Sequence, residues 1–221
     1  VGKDATTFYG GTIGHPENEV FLENTGFKMV AVDEKNLDDI LEESGSIIFL
    51  DFAEAGKNSI VPEGIEPEVI IDHHYTNRHV EGLKYTEIRT DVGSTSTLMT
   101  RHMINLGVEM DPLLASALLY GLKVDTDDYT KNIRTTDFNM IAYLSAFADT
   151  ELMDIFESPP LKPHTVSSFG KAISNRKFFD EVLISFVGDV VDRDDIPQIA
   201  DLLSREEDVL TVLAYGAAPD S

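Results

Sequence analysis

The chain has 221 residues, of which 42% are apolar and none is cysteine, and 40 acidic against 17 basic side chains give a formal net charge of −23. The missing thiols exclude disulfides, cysteine nucleophiles and cysteine-ligated metals, so a metal ion must be held by His, Asp or Glu. The acid excess argues against sequence-independent binding of long duplex nucleic acid, and the sequence, with no apolar leader and no apolar run of membrane-spanning length, predicts a cytoplasmic protein.

The first two-thirds of the chain predict an α/β fold with a mostly parallel, doubly wound sheet, because short apolar runs alternate with amphipathic segments. The predicted strands are residues 27–32, 46–50 and 69–71, with an edge strand over 84–89. A short helix is expected from an N-cap at Asn36 through Glu43.

Three further helices are predicted from their capping residues. Ser94 or Thr95 begins a helix that runs to about Asn105, and Asp111 with Pro112 begins a second one, which we expect to break at Gly121. The third helix begins at Thr136 or Asp137 and runs to about residue 148.

The composition changes at the segment SPPLKP, where three prolines fall within five residues and disfavour a continuous helix. We therefore predict a first domain over residues 1–158, a linker helix over 159–178, and the beginning of a smaller α/β domain over 179–221. That last part predicts a strand, a helix and a strand in succession.

Polar side chains follow three apolar runs in the first domain. Asp51 follows one run, Asp72, His73 and His74 follow the second, and Asp125 follows the third. Ligands of open parallel sheets bind beyond the carboxyl ends of the strands, so these side chains are expected to converge. Clustered carboxylates repel one another unless cations lie between them, and Asp with His suits Mn²⁺ or Mg²⁺.

A simpler interpretation exists for each residue alone. A single Asp after a strand is more often a turn former or a helix cap than a ligand, and a single His is more often structural. Two adjacent histidines preceded by Asp at a strand end fit that interpretation poorly, because their side chains diverge and each needs its own polar partner. The triplet therefore favours a functional site.

The triplet Asp72-His73-His74, with Asp51 upstream and the segment GLKVDT downstream, resembles the DHH phosphoesterases. The segments YGGTIGHPEN and GSTSTL are similar to the RecJ and NrnA branch of that superfamily, and the resemblance covers most of the chain. It implies Mn²⁺-dependent, two-metal hydrolysis of phosphodiester bonds in short single-stranded oligonucleotides or small, including cyclic, dinucleotides. It also implies exonuclease-type nucleic acid binding and is compatible with a homodimer.

Roles of individual residues follow from this resemblance. Asp51, His73 and Asp125 match metal ligands, His74 matches the histidine that faces the substrate phosphate, and Asp72 matches the residue that orients the histidines. These positions make Asp72 and His74 the candidate catalytic pair.

Three further positions are candidate substrate contacts. Gly93 and Ser94 lie at a helix start whose N–H groups suit an anion, with simple helix capping as an equal alternative. Arg134 follows Asp125 in a loop-like stretch and is a candidate phosphate contact, although a solvated loop charge is the favoured interpretation.

Two family features are not found in the sequence: the first metal-binding motif and the glycine-rich substrate loop of the DHH-associated domain. We therefore expect the chain to be a piece of a longer enzyme and to be weakly active alone. The alternatives are an inorganic pyrophosphatase or exopolyphosphatase, and a non-catalytic nucleotide-binding regulatory module.

Overall fold

Short parallel strands and helices alternate in the first part of the computed structural model, which describes residues 4–10, 13, 16–32, 37–56, 59–78 and 82–218. The order of elements is β1 (Thr7–Gly10), α1 (Pro16–Thr25), β2 (Met29–Val32), α2 (Leu37–Glu43), β3 (Ile48–Leu50), β4 (Val69–Asp72) and β5 (Tyr85–Ile88). β1 pairs with β2, and β4 lies between β3 and β5; all of these pairings are parallel. The predicted N-cap Asn36 lies outside the described residues.

The sheet of β3, β4 and β5 has a small apolar core. Phe49 on β3 and Ile70 on β4 are almost fully buried and pack with Ala53 and Val61 from the loop between these strands. This core fixes the ends of β3 and β4, beyond which the candidate ligands lie.

Four helices follow: α3 (Thr95–Asn105), α4 (Pro112–Asp125), α5 (Thr135–Ser145) and α6 (Thr150–Glu157). Ser94 caps α3 and its side chain accepts a hydrogen bond from the Ser96 N–H, while Asp111 caps α4 and accepts one from the Leu114 N–H. Both caps are the predicted ones, because short polar side chains satisfy the free N–H groups of a helix start.

The prediction that the second of these helices breaks at Gly121 is wrong, since α4 continues to Asp125. A Cβ atom at Gly121 would lie 2.6 Å from the Ser96 Oγ, so the glycine serves the close packing of α4 against α3. Asp125 therefore lies in the last turn of a helix.

The chain divides into two compact units. The first holds Leu22–Glu157 with β1, and the second holds Ile13–Phe21 with Ser158–Ser221. The second unit contains α7 (Pro163–Asn175), β6 (Lys177–Phe179), β7 (Val182–Asp189), α8 (Asp195–Leu203) and β8 (Thr211–Ala217). β7 pairs antiparallel with β6 and parallel with β8.

The helix predicted as a linker is α7, and it belongs to the second unit. Ala172 of α7 packs in one core with Leu183 and Val187 of β7 and with Ile199 of α8. The buried Asp195 accepts hydrogen bonds from the Thr165 and Ser168 hydroxyls of α7 at 2.7 and 3.0 Å, so α7 is bound to α8 through polar contacts as well.

The α/β class with mostly parallel strands is confirmed. Among the described residues, no helix combines the length and the apolar character that crossing a membrane requires.

Candidate metal centre

Two neighbouring parallel strands bring the first candidate ligands together. Leu50 at the end of β3 lies opposite Ile71 of β4, and the Asp51 N–H donates to the Ile71 carbonyl at 3.0 Å. Asp51 therefore continues the pairing for one residue and lies beside the end of β4. Because both strands run in the same direction, Asp51 and His73 leave the sheet at the same edge.

Asp51 has a left-handed backbone conformation, with φ of 67°. This conformation costs about 1–2 kcal/mol for a residue with a Cβ atom, although Asp and Asn adopt it more readily than other residues. Such strain is typical of functional sites, where the surrounding structure holds a side chain in a required direction. Here it holds an exposed carboxylate at the sheet edge.

His73 carries a buried ring nitrogen with an unmet hydrogen-bonding need. Its side chain is 13% exposed, and Nε2 lies 3.5 Å from the Asp51 Oδ1. The Nε2 atom is buried and has no hydrogen-bond partner within the described part of the chain. Leaving such a group unsatisfied costs about 1–3 kcal/mol, so His73 is suited to bind something that the chain itself does not contain.

His74 is oriented by Asp72, which is 1% exposed. The Asp72 Oδ1 accepts from the His74 N–H at 3.1 Å and lies 2.8 Å from the His74 Nδ1. This contact leaves Nε2 as the ring nitrogen of His74 that faces away from Asp72. Burial lowers the pKa of His74, but the Asp72 hydrogen bond and the charges of Asp72, Asp51 and Asp125 raise it more, so the net pKa is above 6.5.

Ligand atoms of Asp51, His73 and His74 all lie within 4.8 Å of one another. The two imidazole rings are tilted by 54° with centroids 4.1 Å apart. One carboxylate and two imidazoles form a donor set that suits borderline divalent cations. The sequence predicted His73 as a metal ligand and His74 as a phosphate contact, and this geometry brings both to the same point.

Asp125 approaches the cluster from the end of α4. Its Oδ2 accepts from the Ser94 hydroxyl at 2.6 Å. Burial of its carboxylate and the charge of Asp51 raise the pKa of Asp125, while the Ser94 hydrogen bond and the two histidines oppose this rise. Asp125 thus interacts electrostatically with all three residues of the cluster, although it lies outside the set whose ligand atoms fall within 4.8 Å.

The predicted phosphate contacts at the start of α3 have protein partners. The Gly93 N–H donates to the Asp137 Oδ2 at 2.9 Å, and the fully buried Ser94 hydroxyl bonds both Asp125 and the Ser96 N–H. These contacts correspond to the capping alternative.

Arg134 is exposed, and its Nη1 donates to the Ile133 carbonyl at 3.3 Å. Among the described residues it forms no ion pair. Its role in substrate binding therefore stays a prediction.

Asp137 is a site-related residue that the sequence did not single out beyond a helix start. It is fully buried and joins the start of α5 to the start of α3. Its partners lie 40 and 44 residues earlier in the chain, so only its position at a helix start was visible in the sequence.

An open groove of about 520 Å³ lies next to the segments that follow Asp51 and His74 in the chain. It is lined by glutamates 54, 63 and 66, by Asn77 and Arg78, and by three small or apolar residues. Arg78 pairs with Glu66 and donates to the Ala53 carbonyl. With its cation already neutralised, this groove does not suit a phosphate, and the cluster of Asp51, His73 and His74 remains the better candidate site.

Comparisons with known proteins agree with the α/β architecture. No protein-family model matches the chain. Over 220 residues the chain is 30% identical to an uncharacterized protein of Methanocaldococcus jannaschii, an alignment that covers 99% of the chain and 44% of that protein. The crystal structure of an exopolyphosphatase-related protein from Bacteroides fragilis is similar, with a TM-score of 0.67 and 15% sequence identity. The similarity covers 92% of the present chain and 64% of the Bacteroides fragilis chain.

The chain thus spans less than half the length of its curated relative and about two thirds of the similar solved chain. At 15% identity the likeness to the Bacteroides fragilis structure establishes a shared fold. The two polypeptides share an α/β architecture. In the present chain, a carboxylate and two histidines meet at the edge of a parallel sheet.

Proposed function

We propose that the chain carries the metal-binding part of a divalent-metal-dependent phosphoesterase of the DHH type. The observation that carries the proposal is the convergence of Asp51, His73 and His74 within 4.8 Å, with the buried His73 Nε2 lacking a hydrogen-bond partner in the described residues. The sequence resemblance and the shared fold with an exopolyphosphatase-related protein support the same class of reaction.

The residues at the site fit Mn²⁺ better than the harder Mg²⁺, because two of the three clustered side chains are imidazoles. His73 offers a buried ring nitrogen without another partner, Asp51 offers an exposed carboxylate, and His74 has its Nδ1 held by Asp72. A histidine whose second ring nitrogen bonds a carboxylate is a typical metal ligand or phosphate contact. A divalent cation held by these residues would supply hydroxide at neutral pH and would neutralise phosphate charge.

The chain's own residues then divide the work of binding and orientation. Asp72 holds the ring of His74 and favours its protonated form, because the pKa of His74 is raised. In this proposal Asp51 and His73 would hold the metal, and His74 would contact a phosphate oxygen through Nε2, the role that the resemblance implies. Asp125, held by Ser94, adds a second carboxylate on the α4 side of the cluster.

The proposed substrates are short single-stranded oligonucleotides or small dinucleotides. Their few phosphates place little charge against a protein with a net charge of −23, and cations at the site offset the local repulsion. A pyrophosphatase or exopolyphosphatase activity is the second candidate, favoured by the fold shared with the exopolyphosphatase-related protein.

Hydrolysis assays test the proposal directly. The chain is incubated with Mn²⁺ and, in parallel, with a dinucleotide, a short oligonucleotide, pyrophosphate and polyphosphate, and Asp51→Ala is compared with Asp91→Ala. Asp91 is an exposed residue paired with Arg89 and serves as a control for lost acidity.

Mn²⁺-dependent cleavage that is lost in Asp51→Ala and kept in Asp91→Ala supports a phosphoesterase. The preferred substrate separates a dinucleotide hydrolase from a polyphosphatase. Nucleotide binding with neither Mn²⁺ binding nor metal-dependent cleavage of any substrate favours the regulatory module instead.

A further inference from the structure

Asp137 is a fully buried carboxylate that lies outside the cluster of candidate metal ligands. Its Oδ2 accepts from the Arg134 N–H at 2.7 Å and from the Gly93 N–H at 2.9 Å, and its Oδ1 accepts from the Thr97 hydroxyl at 2.6 Å. The Arg134 contact is local to the start of α5. The other two come from the start of α3, so Asp137 joins the two helix starts.

The segment that Asp137 holds is tightly packed. A Cβ atom at Gly93 would lie 2.7 Å from the Thr126 Cγ2, 3.1 Å from the Asp137 Oδ2 and 3.2 Å from the Asn132 carbonyl oxygen. Thr126 directly follows Asp125, and its hydroxyl bonds the Leu122 carbonyl at 2.7 Å. Gly93 therefore packs closely against the end of α4. A shift of the segment that contains Gly93 would move that segment away from Asp125.

Ser94 connects the Gly93 segment to Asp125, the carboxylate beside the cluster of candidate ligands. It directly follows Gly93, is fully buried, and donates from Oγ to the Asp125 Oδ2 at 2.6 Å. The same Oγ accepts from the Ser96 N–H at 3.0 Å, so the direction of its hydroxyl proton is set toward Asp125. The orientation of the Asp125 carboxylate thus depends on where the backbone places Ser94.

We propose that Asp137 is a positioning residue for the candidate metal site, which it serves by holding Gly93 so that Ser94 orients the Asp125 carboxylate. This inference rests on the proposed function, because it assigns Asp125 to a metal site. Asp137 itself contacts none of the three clustered ligands. Removing a group that orients a metal ligand in this way typically weakens metal affinity by roughly 10- to 100-fold.

The test measures Mn²⁺ affinity of the 221-residue chain, with free Mn²⁺ followed by electron paramagnetic resonance. We expect Asp137→Ala and Ser94→Ala each to weaken Mn²⁺ binding about tenfold. Because Asp137 acts through Ser94, the double variant should bind Mn²⁺ as tightly as the single variant that has the lower affinity. Additive losses would show two independent effects and overturn the positioning role.

Matched controls separate positioning from general loss of stability. Asp195 in the second unit is equally buried and accepts from two hydroxyls, so Asp195→Ala is the control for Asp137→Ala. Ser116 is fully buried and bonds Pro112 and Asp149, so Ser116→Ala is the control for Ser94→Ala. Both controls should bind Mn²⁺ like the wild type, and an equal loss in them overturns the proposal.

A milder variant decides the question if Asp137→Ala does not fold. Thr97→Val removes one of the three hydrogen bonds at nearly constant volume, and we expect about threefold weaker Mn²⁺ binding. Unchanged affinity in Thr97→Val would then overturn the positioning role. If the wild type itself binds no Mn²⁺, the metal site fails and Asp137 has nothing to position; if the wild type binds and the variants match it, only the inference about Asp137 fails.

Discussion

The His73 Nε2 lies 3.5 Å from the Asp51 Oδ1, although the two residues follow different strands and are 22 positions apart. We expect His73→Ala and Asp51→Ala each to weaken Mn²⁺ binding at least tenfold, because each removes a ligand. Isothermal titration calorimetry measures the affinity. His102→Ala is the control, since His102 pairs with Glu87 outside the cluster. Equal affinity in the wild type and both ligand variants would remove the basis for the site.

The left-handed backbone at Asp51 predicts a difference between two variants that both lack the carboxylate. Asp51→Gly accepts a φ of 67° without strain, whereas Asp51→Ala keeps the clash of its Cβ atom. We expect Asp51→Gly to have the higher free energy of unfolding, by about 1 kcal/mol. Urea unfolding without metal measures the difference. A more stable alanine variant would show that the backbone there is not left-handed.

The pKa of His74 should fall when Asp72 loses its charge. Asp72→Asn retains an oxygen that accepts from His74 but removes the negative charge that, with the hydrogen bond, raises the pKa of His74. Burial, which lowers the pKa of His74, is then opposed only by the remaining hydrogen bond and the charges of Asp51 and Asp125. A pH titration of the ring protons by nuclear magnetic resonance measures the change, with Asp111→Asn as a remote control.

The raised pKa of His74 also determines how the stability of the protein changes with pH. The folded state binds the His74 proton more tightly than the unfolded state, so the contribution of the Asp72–His74 contact is complete below pH 6.5 and is lost as the pH rises through the folded-state value. The stability gap between wild type and Asp72→Asn should narrow accordingly with rising pH. A gap that widens above neutral pH would contradict the assignment.

Glu87 links β5 to α3 and predicts a pH dependence of the opposite sign. Burial raises its pKa, but hydrogen bonds from His102 and Tyr85 and the charge of Arg101 lower it more, to below 4.5. The stabilising contribution is therefore present above pH 4.5 and lost as the pH falls through the folded-state value.

We expect Glu87→Gln to lower the free energy of unfolding at pH 7 by about 1.5–3 kcal/mol, the value of hydrogen bonds to a charged group. The difference should fade in acid. Asp91→Asn, which breaks an exposed pair with Arg89, should change the stability much less. Chemical unfolding at several pH values measures both variants, and a Glu87→Gln penalty that persists in acid would exclude the charge as its cause.

Asp125 is expected to trade stability for metal binding. Burial and the charge of Asp51 raise its pKa above 3.8, so as the pH rises through the folded-state value its ionisation makes the metal-free protein less stable. Asp125→Asn retains an acceptor for Ser94 without the charge. We expect an unchanged or higher melting temperature without Mn²⁺, and a smaller rise on adding Mn²⁺ than in the wild type. A lower melting temperature without metal would contradict the prediction.

Local capping rules identified much of the helical structure from the sequence. Ser94 and Asp111 cap α3 and α4 as expected, because a cap depends on residues no more than about four positions away. The same rules failed at Gly121, which stays inside α4. Glycine is needed at this position because the Ser96 Oγ of another helix lies too close for a Cβ atom, and no pattern near Gly121 in the sequence reveals that contact.

Residue types alone limit the chemistry of the candidate site: without cysteine, and with Asp72, His73 and His74 following an apolar strand, only oxygen and imidazole ligands are available there. Which groups the residues around the site contact depends on the packing of the folded chain. The Gly93 amide bonds Asp137, and Ser94 turns its hydroxyl to Asp125. The sequence specifies the residue types directly. Partners that lie 31 and 44 positions apart are brought together by the packing of whole helices against one another.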